Sequence, residues 1–232
     1  MIKRQIPNLI TLGNLACGVA ASYAALWWRD PVLAALLICG GILLDFFDGL
    51  TARLLGVSSP MGKELDSLAD VVTSGVAPAS ILYCLTNITL YNNGILGLGL
   101  VYLLIPLFAA YRLAKFNIDT RQSHSFLGLP VPSQALVWVG VALSQGPVVC
   151  DLWMVIAMLV LSLILDVLMV SELPLFSLKF NFKDLSWKTN SVQYIFLIVC
   201  AVLIAVLRDW IALSAIILWY ILFSLFTQKK HA

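Results

Sequence analysis

Four aspartates carry the chemistry available to this sequence. Asp45 and Asp48 stand three residues apart in the run Gly41-Ile42-Leu43-Leu44-Asp45-Phe46-Phe47-Asp48-Gly49-Leu50-Thr51-Ala52-Arg53. Asp66 and Asp70 stand four apart in Gly62-Lys63-Glu64-Leu65-Asp66-Ser67-Leu68-Ala69-Asp70. On helices, each pair shares one face. The short loop between the two runs predicts antiparallel neighbours, with the pairs facing each other. Phe46, Phe47, Leu65 and Leu68 are interleaved with them, so the carboxylates sit in apolar surroundings. Each would cost about 2.5–3.5 kcal/mol even on lenient membrane-insertion scales, and crowding adds repulsion. Divalent cations relieve both costs. Four carboxylates can hold two hard ions through oxygen, which suits Mg²⁺ or Mn²⁺, and no His or Cys stands beside them to make a zinc site. Gly49 and Gly62 would let a ligand come close to the backbone. Arg53, one turn past Gly49, is placed to pair with a phosphate. Two other readings of the acids are solvated helix ends and the ion path of a coupled transporter. A path needs acids through the membrane depth, and the later spans carry only Asp166 well inside.

The elements that must position these residues are membrane helices. Of 232 residues, 61% are apolar and 11% charged, with a mean hydropathy of +0.98. Soluble domains run nearer 45–50% apolar and about 25% charged. That excludes a soluble globular enzyme, a disordered segment and a nucleic-acid module, and a net charge of +2 is too small for a polyanion partner. Apolar runs predict about eight transmembrane helices over 7–28, 31–55, 64–86, 93–117, 129–144, 151–170, 191–207 and 210–227. The fold expected is an all-α integral membrane protein. The five cysteines are scattered in apolar runs and read as packing residues, and the N-terminal run reads as a retained span. His124 and His231 carry no functional expectation.

Positive charge gives orientation. Arg53 and Lys63, then Arg112, Lys115 and Arg121, then Lys179, Lys183 and Lys188, then Lys229 and Lys230 fall on the side of Lys3 and Arg4. This predicts both termini, and the acidic cluster, on the cytoplasmic side. Residues 1–170 are read as a six-helix core, 171–190 as a cytoplasmic interfacial segment, and 191–232 as a C-terminal helix pair and tail, appended to the core.

With the spacing on the page, a resemblance is specific. Asp45-x-x-Asp48-Gly49-x-x-Ala52-Arg53, eight residues, then Gly62-x-x-x-Asp66-x-x-x-Asp70 resembles the complete signature of the CDP-alcohol phosphotransferase family. The resemblance implies an integral membrane enzyme that transfers a phosphatidyl or similar group from a CDP-linked lipid to an alcohol and releases CMP. It implies that Asp45, Asp48 and Asp66 are metal ligands, with Asp70 near or on the metals and also general base. It implies contacts to the CDP moiety from Gly49, Ala52, Arg53, Gly62 and Asp66. It further implies a homodimer, in a bacterial or archaeal cell membrane.

The flanks narrow the branch. Ile6-Pro7-Asn8-Leu9-Ile10-Thr11-Leu12-Gly13-Asn14, then Tyr111-Arg112-Leu113-Ala114-Lys115-Phe116-Asn117, then Gly128-Leu129-Pro130-Val131-Pro132 are similar to the phosphatidylserine synthase branch. That implies CDP-diacylglycerol as donor, L-serine as acceptor and a site open to membrane lipid. Glycerol 3-phosphate or inositol phosphate is the alternative acceptor. Asn8, Thr11 and Asn14 share a helical face; they either bond the cytidine or ribose or bond between helices. Arg112, Lys115 and Arg121, with Asn117, either form a subsite for the serine carboxylate and lipid phosphate or only set topology.

Overall fold

The computed structural model describes residues 2–57, 59–118, 128–173, 175 and 187–228. Among them every regular element is helical. Helix α1 (Ile2–Tyr23) runs into a π turn (Ala24–Trp28), and α2 occupies Pro31–Leu54. Next come α3 (Pro60–Val71), a second π turn (Val72–Val76) and α4 (Ala77–Asn92). These three form one continuous column of 33 residues, about 50 Å long. A 3₁₀ segment (Leu96–Leu103) leads into α5 (Leu104–Ile118); α6 (Val131–Gln145), α7 (Leu152–Val170), α8 (Trp187–Leu207) and α9 (Ile211–Gln228) complete the order.

The helix starts are written locally. Asp30 accepts from the Leu33 N–H and Ser59 accepts from the Gly62 N–H, each with proline next, at the first helical position. Gly128 has φ +74°, and a Cβ there would lie 2.6–2.7 Å from the Met169 and Ser171 carbonyl oxygens, so only glycine fits. Its N–H donates to the Leu173 carbonyl, tying the entry to α6 onto the end of α7.

Among the described residues, five helical columns are long and apolar enough to cross a membrane: Gln5–Trp28, Pro31–Leu54, Pro60–Asn92, Leu96–Ile118 and Leu152–Val170. The other three predicted spans correspond to shorter apolar stretches: Val131–Gln145, Gln193–Leu207 within α8 and Ile211–Leu225 within α9. The column Pro60–Asn92 is the central post: 67% of its most apolar window is buried, against 28–39% in the other four. Small residues let its neighbours close in. Ala21, Ala24, Ala25, Ala34, Ala35 and Ala77 are fully buried, as expected where membrane helices associate through tight backbone approach.

One feature differs from the sequence expectation. Helices α2 and α3 are not the packed antiparallel neighbours that their short loop predicts; they hardly touch, and α1 packs along both. The separation leaves a gap at their acidic ends. In the C-terminal pair, α9 packs closely on α6. There the Ser214 hydroxyl donates to the Val137 carbonyl at 2.6 Å, and Gly140 is pressed against Ser214 and Trp210. Most of the predicted interfacial segment, with Lys179 and Lys183, lies outside the described residues, as do Arg121 and His124.

Candidate metal and nucleotide site

The last turns of α2 carry Asp45 and Asp48, and the second turn of α3 carries Asp66. Carboxylate oxygens of these three residues all lie within 4.8 Å of one another. Asp48 is buried, and its Oδ2 accepts from the Thr11 hydroxyl of α1 at 2.5 Å. Among the described residues, no lysine or arginine nitrogen lies within 4.0 Å of these carboxylates. Three converging acids without a side-chain counter-charge, offering oxygen only, fit a hard divalent cation. Asp70, expected near or on the metals, stands outside this group of three.

Beside the acids is a cavity of about 250 Å³, filling the gap between α2 and α3. Asp48 and Asp66 form its acidic wall, with Lys63 opposite in sign; Pro7, Asn8, Thr11, Gly49, Ala52, Val57, Ser59 and Gly62 complete the lining. At Gly49 a Cβ would meet nothing within 4 Å, whereas at Gly62 it would lie 3.1 Å from Ser59 Oγ and 3.2 Å from Asn8 Oδ1. Arg53 is exposed and is not part of the lining. A second cavity, about 560 Å³, is almost wholly apolar; it lies between α4 and the 3₁₀ segment and holds no carboxylate.

Asn14 is fully buried and does not line the cavity. Its Nδ2 donates to Asp70 Oδ1 at 3.4 Å, and its backbone carbonyl accepts from the Thr73 hydroxyl at 3.0 Å. Of the three polar residues on the α1 face, Thr11 and Asn14 therefore bond between helices, and Asn8 faces the cavity. Arg112 of α5 is 8% exposed and lies within electrostatic reach of Asp70, with its Nε unpartnered.

Lys115 and Asn117 part company with Arg112. Lys115 pairs with Glu172 at 3.1 Å, at the end of α7. Asn117 donates from Nδ2 to Ser67 Oγ at 2.9 Å, and its carbonyl accepts from Lys63 Nζ at 2.9 Å. These bonds join α5 to α3. Sequence reasoning missed Thr73 and Ser67, although Thr73 lies one turn beyond Asp70 on the same column.

Comparison with known proteins bears on this site. Residues 4–170 match the CDP-alcohol phosphatidyltransferase family, a stretch that contains every residue of the cavity and stops before α8. The chain is 39% identical over 143 residues to the CDP-diacylglycerol–serine O-phosphatidyltransferase of Bacillus subtilis, covering 62% of this chain and 78% of that protein. It is 41% identical over 135 residues to the protein of the same name from Helicobacter pylori, covering 57% of this chain and 55% of the relative. It is 44% identical over 105 residues to one from Methanocaldococcus jannaschii, covering 45% of this chain and 47% of the relative. The chain thus spans only about half the length of the last two.

Proposed function

The chain belongs to the CDP-alcohol phosphatidyltransferase family, and we propose that it transfers a phosphatidyl group from CDP-diacylglycerol to L-serine, giving phosphatidylserine and CMP. The observation that carries this reading is the convergence of Asp45, Asp48 and Asp66 beside the cavity between α2 and α3, with Asp70 and the buried Arg112 close by. The relatives named above supply the acceptor.

Asp45, Asp48 and Asp66 would hold Mg²⁺ or Mn²⁺, two ions when Asp70 contributes as well. Ions held there would supply charge neutralisation to the pyrophosphate and so make CMP a good leaving group. Asn8, Gly49, Ala52 and Gly62 shape the cavity for the cytidine diphosphate, Lys63 adds positive charge on its wall, and the exposed Arg53, one turn past Gly49, reaches in to the phosphates when the donor binds. Asp70 takes the proton of the serine hydroxyl as that oxygen attacks the β-phosphorus. Arg112, anchored on α5 and lacking a partner at Nε, binds the serine carboxylate and so orients the nucleophile. The site faces the cytoplasm, where the positive charges gather, and the functional unit is a homodimer, as the resemblance implies.

The test is CMP release by the purified protein in detergent micelles with CDP-diacylglycerol and Mn²⁺ or Mg²⁺. L-Serine, glycerol 3-phosphate and inositol phosphate are offered separately. Serine-dependent release, abolished by a chelator and by Asp70→Asn, supports the reading. Release only with another acceptor removes serine and keeps the reaction class. Folded protein with no release under any acceptor removes the proposal.

A further inference from the structure

We infer that Thr73 is a positioning residue for Asp70, acting through Asn14; this rests on the reading of Asp70 as the base. Both residues of the Asp70–Thr73 turn bond to one residue of α1. The Asn14 side chain reaches Asp70 Oδ1, in a long contact of 3.4 Å, and the Asn14 carbonyl takes the Thr73 hydroxyl at 3.0 Å. The hydroxyl's choice is informative. A threonine inside a helix commonly bonds back to the carbonyl four residues earlier, as Thr86 does to Leu82. Thr73 instead bonds across to another helix.

Its surroundings are built around it. A Cβ on Gly18 would lie 2.7 Å from the Thr73 Cα and 2.8 Å from its nitrogen. A Cβ on Gly41 would lie 2.5 Å from Thr73 Cγ2 and 2.9 Å from Asn14 Oδ1. Two glycines, on α1 and α2, thus let both helices close onto this one side chain. Thr73 is 1% exposed and belongs to the π turn Val72–Val76. A π turn inserts an extra residue and rotates the helix on its N-terminal side against the helix on its C-terminal side, by about the 100° that one helical residue subtends. Asp66 can therefore join the acidic group and Asp70 reach Asn14, while the buried face of α4 stays on the core. The Thr73–Asn14 bond fixes where that rotation occurs, and Asn14 then holds one oxygen of Asp70 so that the other is presented to the acceptor.

Thr73→Val keeps the side-chain shape and removes the hydroxyl; Thr73→Ser keeps the hydroxyl. CMP release is measured for both, with KM for donor and acceptor determined separately and melting followed in detergent. Thr73→Val is expected to lower kcat by about tenfold to a hundredfold, the loss expected of a misplaced reacting group. Both KM values should stay within about twofold of wild type, as expected when only transition-state stabilisation is lost. Thr73→Ser should restore most of kcat. Should Thr73→Val not fold, Thr73→Ala, which adds no bulk, reads the same split. Wild-type kcat in the valine variant overturns the inference. So does a parallel loss of kcat and melting temperature in the valine and serine variants, since that is packing alone. Wild-type release with a different acceptor removes serine only, and the same variants then decide the inference with that acceptor. Folded wild-type protein that releases no CMP with any acceptor overturns both.

Discussion

The Thr11 hydroxyl donates to Asp48 Oδ2 at 2.5 Å, across 37 residues of sequence and between two helices. Asp48 is thereby oriented before any ion arrives. Bonds of this kind to a ligating carboxylate are worth about tenfold to a hundredfold in metal affinity. Thr11→Val should therefore raise the Mn²⁺ concentration for half-maximal CMP release by about tenfold, with Vmax at saturating metal nearly unchanged. Thr11→Ser should stay near wild type. A metal titration of the three proteins reads this directly.

Gly49 and Gly62 should respond differently to an added methyl. At Gly49 the methyl meets open space, so Gly49→Ala should melt like wild type and raise KM for CDP-diacylglycerol only because it intrudes on a ligand. At Gly62 it meets Ser59 Oγ and Asn8 Oδ1 at 3.1 and 3.2 Å, so Gly62→Ala should disturb the start of α3 as well. The expected loss of stability is about 1 kcal/mol or more. Thermal melting and donor KM, measured on both variants, separate the two.

Arg112 and Lys115 are one turn apart on α5, but only Arg112 is buried beside Asp70. Arg112→Gln should raise the KM for serine by at least about tenfold, the cost of losing a charge-assisted bond. The KM for CDP-diacylglycerol should change far less. Lys115→Gln should change neither, because its partner is Glu172 and exposed pairs contribute about 0–1 kcal/mol. Equal effects from both substitutions would contradict this assignment.

The packing of α9 on α6 is testable without catalysis. Ser214→Ala removes the bond to the Val137 carbonyl and should cost about 1 kcal/mol. Gly140→Ala drives a Cβ to 2.9 Å from the Ser214 nitrogen and 3.0 Å from the Trp210 carbonyl oxygen, and should cost about 1–3 kcal/mol. Melting in detergent checks both, and a neutral Gly140→Ala would show that α9 moves aside easily.

Much of this is legible in the residue order. Helical class comes from composition and apolar runs, because a lipid-facing chain must satisfy its backbone internally. Clustering of Asp45, Asp48 and Asp66 comes from helical spacing across a short loop. The hidden part depends on contacts distant in sequence. Nothing in Gly18, Gly41 or Thr73 taken singly announces that they meet, nor does Ser214 announce Val137, 77 residues away. The gap between α2 and α3 is also invisible, because adjacency in sequence suggests adjacency in space. Lys115 looks equivalent to Arg112 by spacing and is distinguished only by the position of Glu172.

The column Pro60–Asn92 is about 50 Å long, well beyond the roughly 30 Å of a hydrocarbon core, and Asp66 and Asp70 sit near its first end. That excess length lets the acidic end reach the water boundary of the bilayer while the rest of the column spans it. One reactant is then confined to a sheet and the other roams a volume. Turnover obeys two different concentrations: the mole fraction of donor within the film and the molarity of acceptor in the water beside it. Diluting the film with inert amphiphile slows the reaction even when the amount of donor per millilitre is held constant.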